Sequence, residues 1–299
     1  MSDGNSAASL RRKIDSAGEL QSVVRTMKAM AAASIGQYDN AVRSLDAYYR
    51  TVQLALAACF RELEISSDRR PRVDPDEAAV IGAVVFGSDQ GLVGPFNEAM
   101  AEFAVQSLAR LPGKKTVWAV GERVQSRLTE TGLLQGPGFA LPNSIAAITP
   151  LVDQILAEIE TLRGKNETAQ IYLFHHQPQS GALYAPVSQR LLPLDAGWRH
   201  DLSAIAWPSR HIPEVMHDKT QALLAFVREY LFVSIFRACA QSLASENASR
   251  LAAMQRAEKN IDELLDTLSR AFHRLRQSSI DEELFDVLSG FEALKKESG

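Results

Sequence analysis

From Leu20 onward, apolar or small side chains recur at Val24, Met27, Ala31, Ile35, Tyr38, Val42, Leu45, Tyr49, Val52, Leu56, Cys59 and Leu63. Apart from one four-four step, the spacing alternates between three and four, which keeps a single stripe of a helix turned toward a neighbouring helix. The first proline is Pro71, so the pattern predicts one unbroken helix that stops near Ser66, Ser67 and Pro71. At the far end Leu251, Met254, Glu258, Ile261, Leu265, Leu268, Phe272 and Leu275 step in the same way, with Glu258 the single polar member. After a slip of phase, Ile280, Leu284, Val287, Phe291 and Leu294 resume the stripe. Pro213 is the last proline, which leaves a helix free to run from about His217 to Leu294. At ~1.5 Å rise per residue that arm is roughly 110 Å long. A helix of this length cannot bury its stripe inside a compact domain, and antiparallel pairing of the two arms is the economical solution. The second arm is the longer, so part of it is expected to project beyond its mate and to need apolar company elsewhere.

The middle of the chain has another texture. Ala79–Phe86, Thr116–Val120 and Ala169–Phe174 are short apolar runs suited to buried strands, and Phe96–Leu111 and Ile148–Leu162 carry helical periodicity between them. Gly132–Pro142 and Pro178–Pro193 are rich in proline and glycine and read as loops or turns. Strands alternating with helices predict a small open sheet of mostly parallel strands. The expected organisation is a helical arm over 1–70, an α/β domain over 76–205 and a second helical arm over 211–296, that is, a coiled-coil rod carrying a globular head.

Composition narrows the function classes. The 299 residues are 46% hydrophobic, ample for a core, and 32 basic against 36 acidic residues give a net charge of −4. That balance lacks the electrostatic footprint of a general nucleic-acid binder. Cys59 and Cys239 lie far apart in apolar helical patterns and form neither a CxxC pair nor a metal spacing, so both read as buried free thiols. The first nine residues, MSDGNSAAS, have neither the basic and apolar regions of a signal peptide nor the arginines of a transit sequence. No run of about 18 uninterrupted apolar residues occurs, so any membrane association is expected to come through partners.

Candidate chemistry is sparse. Gly87–Asn97 (GSDQGLVGPFN) follows an expected strand and precedes a helix, where phosphates are often held, yet it lacks the GxGxxG order and any GK[ST]. A tight strand-to-helix turn is the better reading, and no cofactor is expected. His175 and His176 are placed at the end of a strand, where neighbours point to opposite faces and make a poor metal site. His200, His211, His217 and His273 are scattered, and His200 with Asp201 lacks a nucleophile, so no catalytic or metal-binding set emerges. Arg11-Arg12-Lys13 and Arg270, Arg274, Arg276 are basic clusters, the second lying where the overhanging arm nears its end. Arginine there suits paired hydrogen bonds to a partner's carboxylates.

Several stretches resemble the gamma subunit of F-type ATP synthases. Leu10–Gln21 (LRRKIDSAGELQ) is similar to that family's opening helix and continues through Met27-Lys28 into Ala31-Ala32-Ala33. Ser88–Asn97 resembles the family's SDRGLCGGFN, and SLASENASRLAAM from Ser242 is close to its C-terminal pattern, leading into Arg276-Gln277-Ser278-Ser279-Ile280. The resemblance implies an antiparallel coiled coil of N- and C-terminal helices with a central Rossmann-like α/β domain, acting as a rotor shaft without a catalytic site of its own. It implies as partners the alpha and beta subunits of the head, an epsilon-type small stalk subunit and the c-ring of the membrane rotor. Arg276 and Gln277 match positions that contact a loop of the beta subunit, Met27 and Lys28 match the region facing the ring's lower lever, and Ile280, Asp281 and Glu283 complete the expected ring-facing set. Ala29, Ser34-Ile35-Gly36-Gln37 and Asp281 depart from the family pattern, which implies a divergent or alternative type of the enzyme. A peripheral place on the cytoplasmic face of a bacterial inner membrane is the expected location. The rival from a different class is a coiled-coil scaffold or adaptor with no rotary role.

Overall fold

The computed structural model describes residues 6–66, 80–166, 168–179, 182–194, 196–211, 214–215 and 218–297. The expected helix stop at Ser67 and Pro71, the strand start at Ala79 and the helix start at His217 lie outside them. The two longest helices are α1 (Ala7–Ser66, 60 residues) and α6 (Lys219–Glu297, 79 residues). The chain divides into two compact units, Ala31–Arg250 and Met1–Met30 with Leu251–Gly299, and each contains part of both helices.

In the first unit the chain passes from α1 to β1 (Val80–Phe86), α2 (Phe96–Ala109), β2 (Lys114–Val120), α3 (Glu122–Glu130), β3 (Leu134–Phe139), α4 (Ile148–Lys165), β4 (Gln170–Gln179), β5 (Ala182–Leu192) and α5 (Ala196–Ser203). The five strands lie in the order β3-β2-β1-β4-β5. β1 pairs in parallel with β2 and β4, β2 pairs in parallel with β3, and β4 with β5 is antiparallel. The three expected strands are the three central ones. β3 and β5 fall inside the two stretches expected to be loops, and they form the sheet's two edges. Proline removes a ladder donor, so a strand holding Pro137 or Pro186 is tolerated at an edge and reads as a turn in sequence. The nine residues of α3 bury just Val124 and Leu128, too few apolar positions to announce a helix.

Strand alternation sorts the core into two layers. Val84, Phe86, Trp118, Val120, Ile171 and Leu173 pack with α4 and with Tyr38, Val52, Leu56, Tyr230, Ile235 and Leu243 of α1 and α6. Ile81, Ala83, Val85, Val117, Ala119 and Phe174 pack with α2 and α3. In α4 the buried set is Ile148, Leu151, Val152, Ile155, Leu156 and Ile159, a core-facing stripe in which each side chain contributes about 1.5–3 kcal/mol of burial. α1 and α6 also meet through polar contacts: Tyr49 stacks on Tyr230 at 5.9 Å, and Arg237 lies 4.5 Å over the Tyr49 ring while pairing with Asp46 at 2.9 Å. Both cysteines are buried and neither is in a disulfide, and burial pushes the Cys239 thiol up from its ordinary pKa.

In the second unit α1 and α6 run antiparallel. Gln21 hydrogen-bonds Asp262, and Arg25 Nε lies 3.0 Å from Glu258 Oε1. Leu10, Ala17 and Met254 are buried along this seam. The expected stripe starts one residue out of phase here: Leu20 is 58% exposed while Ala17 is 4% exposed. Ala17, Gln21, Val24 and Lys28 follow one another along the seam, so Leu20 is turned to the outside. No described helix is long and apolar enough to cross a membrane.

Candidate functional site

In an open sheet of this order, ligands are usually held beyond the carboxyl ends of the strands where the order reverses, here between β1 and β4. The loop that leaves β1 there is tied down by the chain's own groups. Gly87 follows β1 and stands where an added Cβ would lie 2.3 Å from the Cβ of Val124, so only glycine fits the close approach of α3. In the next residues Ser88 N–H donates to Asn97 Oδ1 at 2.9 Å, and Asn97 Nδ2 donates to Ser88 Oγ at 2.8 Å. Asp89 accepts from the backbone N–H of Glu122 at the start of α3 (2.9 Å) and from Leu141 N–H (3.2 Å). Asp89 therefore occupies the helix end where an anion would otherwise be drawn. Behind the loop, Ser249 of α6 donates to the Val93 carbonyl, and Tyr184 of β5 meets Ser249 Oγ at 3.0 Å.

His175 and His176 lie inside β4, which continues to Gln179, rather than at a strand end. They do point to opposite faces. His175 Nε2 donates to Gln241 Oε1 of α6 at 3.0 Å, and His176 Nε2 donates to the Phe96 carbonyl at the start of α2 at 2.9 Å. Burial lowers each imidazole from 6.5 to about 4, so both are neutral near pH 7 and fasten two layers to the central sheet. Glu246, 4% exposed, pairs with Arg250 at 2.7 Å, and burial still raises its carboxyl above the ordinary range. The described residues hold no group of three or more His, Cys, Asp or Glu side chains placed for a metal ion. Asn97, Ser249 and Glu246 were not foreseen as structural ties, because single polar residues in an apolar helix carry no spacing signal.

The expected partner-facing residues fall into two groups. Met27 and Lys28 are half-buried on α1, and Lys28 is ion-paired with Glu258. Arg276, Gln277, Ile280, Asp281 and Glu283 are exposed on α6. Arg276 is 18 residues beyond Glu258, so the groups are about 27 Å apart along the helix and form no common site. Continuing the step set by Gln21 with Asp262 and Arg25 with Glu258, the first residue of α1, Ala7, falls level with Arg276. From Arg276 through Leu288 every residue is exposed. Ile280 (52%), Leu284 (66%), Phe285 (68%), Val287 (74%) and Leu288 (57%) are among them. At ~100° per residue, these five side chains spread over an arc of about 160°.

Comparison with known proteins places the chain. A family model described as ATP synthase matches residues 6–294. The ATP synthase gamma chain of Syntrophus aciditrophicus is 27% identical over 299 residues, covering 96% of this chain and 98% of that protein. The gamma chain of Clavibacter michiganensis is 28% identical, with 95% and 96% covered. Among solved structures, a chain of the Euglena gracilis mitochondrial ATP synthase (OSCP/F1/c-ring, rotational state 3) shares the fold at a TM-score of 0.67 and 17% identity, covering 97% of this chain and 95% of that one. A chain from the central stalk/c-ring structure of the Tetrahymena thermophila mitochondrial enzyme gives 0.57 at 20% identity, covering 79% and 99%. With the family model spanning nearly its whole length, the chain belongs to the ATP synthase gamma family.

Proposed function

We propose that this chain is the central-stalk subunit of an F-type ATP synthase, coupling ion-driven rotation to conformational change in the catalytic beta subunits. Family membership sets the frame, and the observation that carries the reading is the bare apolar arc from Ile280 to Leu288 beyond the end of α1. A ring of alpha and beta subunits supplies the sleeve that this arc lacks in the isolated chain. Each orientation of an asymmetric shaft favours one set of beta conformations, shifting populations through differential contact free energy.

Arg276, Gln277, Ile280, Asp281 and Glu283 form the upper contact set with the ring. Met27 and Lys28 form a lower one, with Lys28 reaching the ring while sharing Glu258. An epsilon-type subunit and the c-ring are the further partners. The subunit performs no catalysis of its own, a reading supported by the hydrogen bonds that Asp89, Asn97 and Ser249 spend on the chain itself around the loop after β1. It sits peripherally on the cytoplasmic face of the bacterial inner membrane.

Reconstitution with candidate alpha and beta subunits tests this reading. The expected result is a stable complex whose ATPase activity depends on this chain. Recovery of the chain free of alpha and beta, with no effect on their activity, favours the scaffold or adaptor alternative.

A further inference from the structure

Glu258 interrupts an otherwise apolar stripe, and its surroundings explain how the seam tolerates it. Its side chain is 18% exposed, against 58% for Arg25 and 35% for Lys28. Arg25 Nε meets Oε1 at 3.0 Å, and the Lys28 ammonium meets Oε2. One carboxylate is thus held by two cations that stand three residues apart on the facing helix. Lys28 first, then Arg25, holds the carboxyl below the usual carboxylate range. One turn further along α6, Asp262 accepts from the Gln21 side chain.

A carboxylate drawn into an apolar seam is costly unless charged partners meet it there. Those partners exist in one alignment. Moving α6 by a heptad in either direction sets Ala32 and Ile35, or Gly18 and Gln21, where Arg25 and Lys28 now stand. A three-residue shift keeps one cation and replaces the other with Ala31 or Ser22. Apolar stripes with regular steps discriminate weakly between such alignments, since one small or branched side chain replaces another. A single polar position that is satisfied in one alignment is a known means of fixing the register of paired helices.

We infer that Glu258 is the register key of the helix pair formed by the chain ends, a positioning residue that admits the one alignment in which Arg25 and Lys28 both reach it. The inference is independent of the rotary reading, because it concerns contacts within this chain. It also assigns Lys28 an internal duty in addition to any contact with a partner.

Thiol cross-linking in the full-length chain tests it. Gln21→Cys is combined with Asp262→Cys, the observed pairing, or with Gln255→Cys or Ser269→Cys, the pairings of heptad-shifted helices. With Glu258 present, the observed pair cross-links and the shifted pairs remain near background. In Glu258→Leu, which completes the apolar stripe, helix content and thermal stability are retained while the ratio of observed to shifted cross-links falls roughly five- to tenfold. The exchanged variant Arg25→Glu, Lys28→Glu, Glu258→Arg restores the ratio, which a merely structural loss would not do. Should Glu258→Leu lose helicity, the near-isosteric Glu258→Gln carries the same comparison. Unchanged ratios in Glu258→Leu or, where that variant loses helicity, in Glu258→Gln overturn the inference, since apolar packing alone would then set the alignment.

Discussion

Ser249 of α6 donates its hydroxyl to the carbonyl of Val93, tying the last helix to the loop that leaves β1. Both residues are buried, at 4% and 2% exposure. Ser249→Ala leaves that carbonyl without its donor and takes a partner from Tyr184, at an expected cost of about 1–3 kcal/mol. Urea denaturation of the full chain measures this. A loss below about 0.5 kcal/mol would show that the tie is replaced by other contacts.

The buried histidines make the α/β head sensitive to acid. Both have folded pKa values of about 4, below the ordinary 6.5, so the unfolded state takes up protons first as the pH falls. Their contribution is complete above pH ~6.5 and is lost as the pH falls toward ~4, by up to a few kcal/mol for the pair. Glu246 works in the opposite sense. Its raised carboxyl favours the folded state below about pH 4.5, and that advantage is lost as the pH rises through its folded value. Denaturant midpoints at pH 8, 6 and 4.5 should therefore fall steeply in the native chain and less steeply in His175→Gln with His176→Phe. Parallel profiles would mean that the imidazoles do not carry the acid lability.

Two leucines of α1 separate the real phase of the stripe from the one that spacing suggests. Leu56 is fully buried and Leu20 is 58% exposed. Leu56→Ala is expected to cost about 2–5 kcal/mol, and Leu20→Ala to stay within about 0.5 kcal/mol. Thermal denaturation monitored by circular dichroism distinguishes them. Equal losses would contradict the observed facing of the helix.

The free end of α6 should matter for assembly and not for the stability of the head. Removing the chain from Ile280 onward, or introducing Val287→Asp on the bare arc, is expected to leave the thermal transition of the α/β head unchanged. Association with alpha and beta subunits should weaken by at least tenfold, the scale of a lost apolar anchor in a desolvated contact. Analytical ultracentrifugation of the mixture reads the effect. Unfolding of the head in the truncated chain would contradict the division between them.

Much of this architecture was legible in sequence, and the failures share a cause. The long helices were readable because steps of three and four over dozens of residues admit no other period. The three central strands were readable because burial on both faces makes them continuous apolar runs. β3 and β5 were missed because Pro137 and Pro186 are tolerated at a sheet edge, where the ladder is open on one side. Spacing turns Leu20 to the seam, whereas Gln21, a polar residue bonded to Asp262, holds that position in the structure. Glycine and proline in Ser88–Asn97 mark the turn, but the ties that close it come from residues dozens to more than a hundred positions away, which local pattern cannot show. Glu258 was visible as a polar intruder, and its partners Arg25 and Lys28 became evident with the pairing of the helices.

The proposed function requires this chain to turn inside a ring of alpha and beta subunits. The most direct measurement fixes an alpha–beta complex containing this chain to a surface and follows a probe attached through Lys114→Cys, an exposed position at the start of β2. The expected result is unidirectional steps of a third of a turn that depend on ATP. A ring that hydrolyses ATP with this chain bound while the probe stays fixed would contradict it.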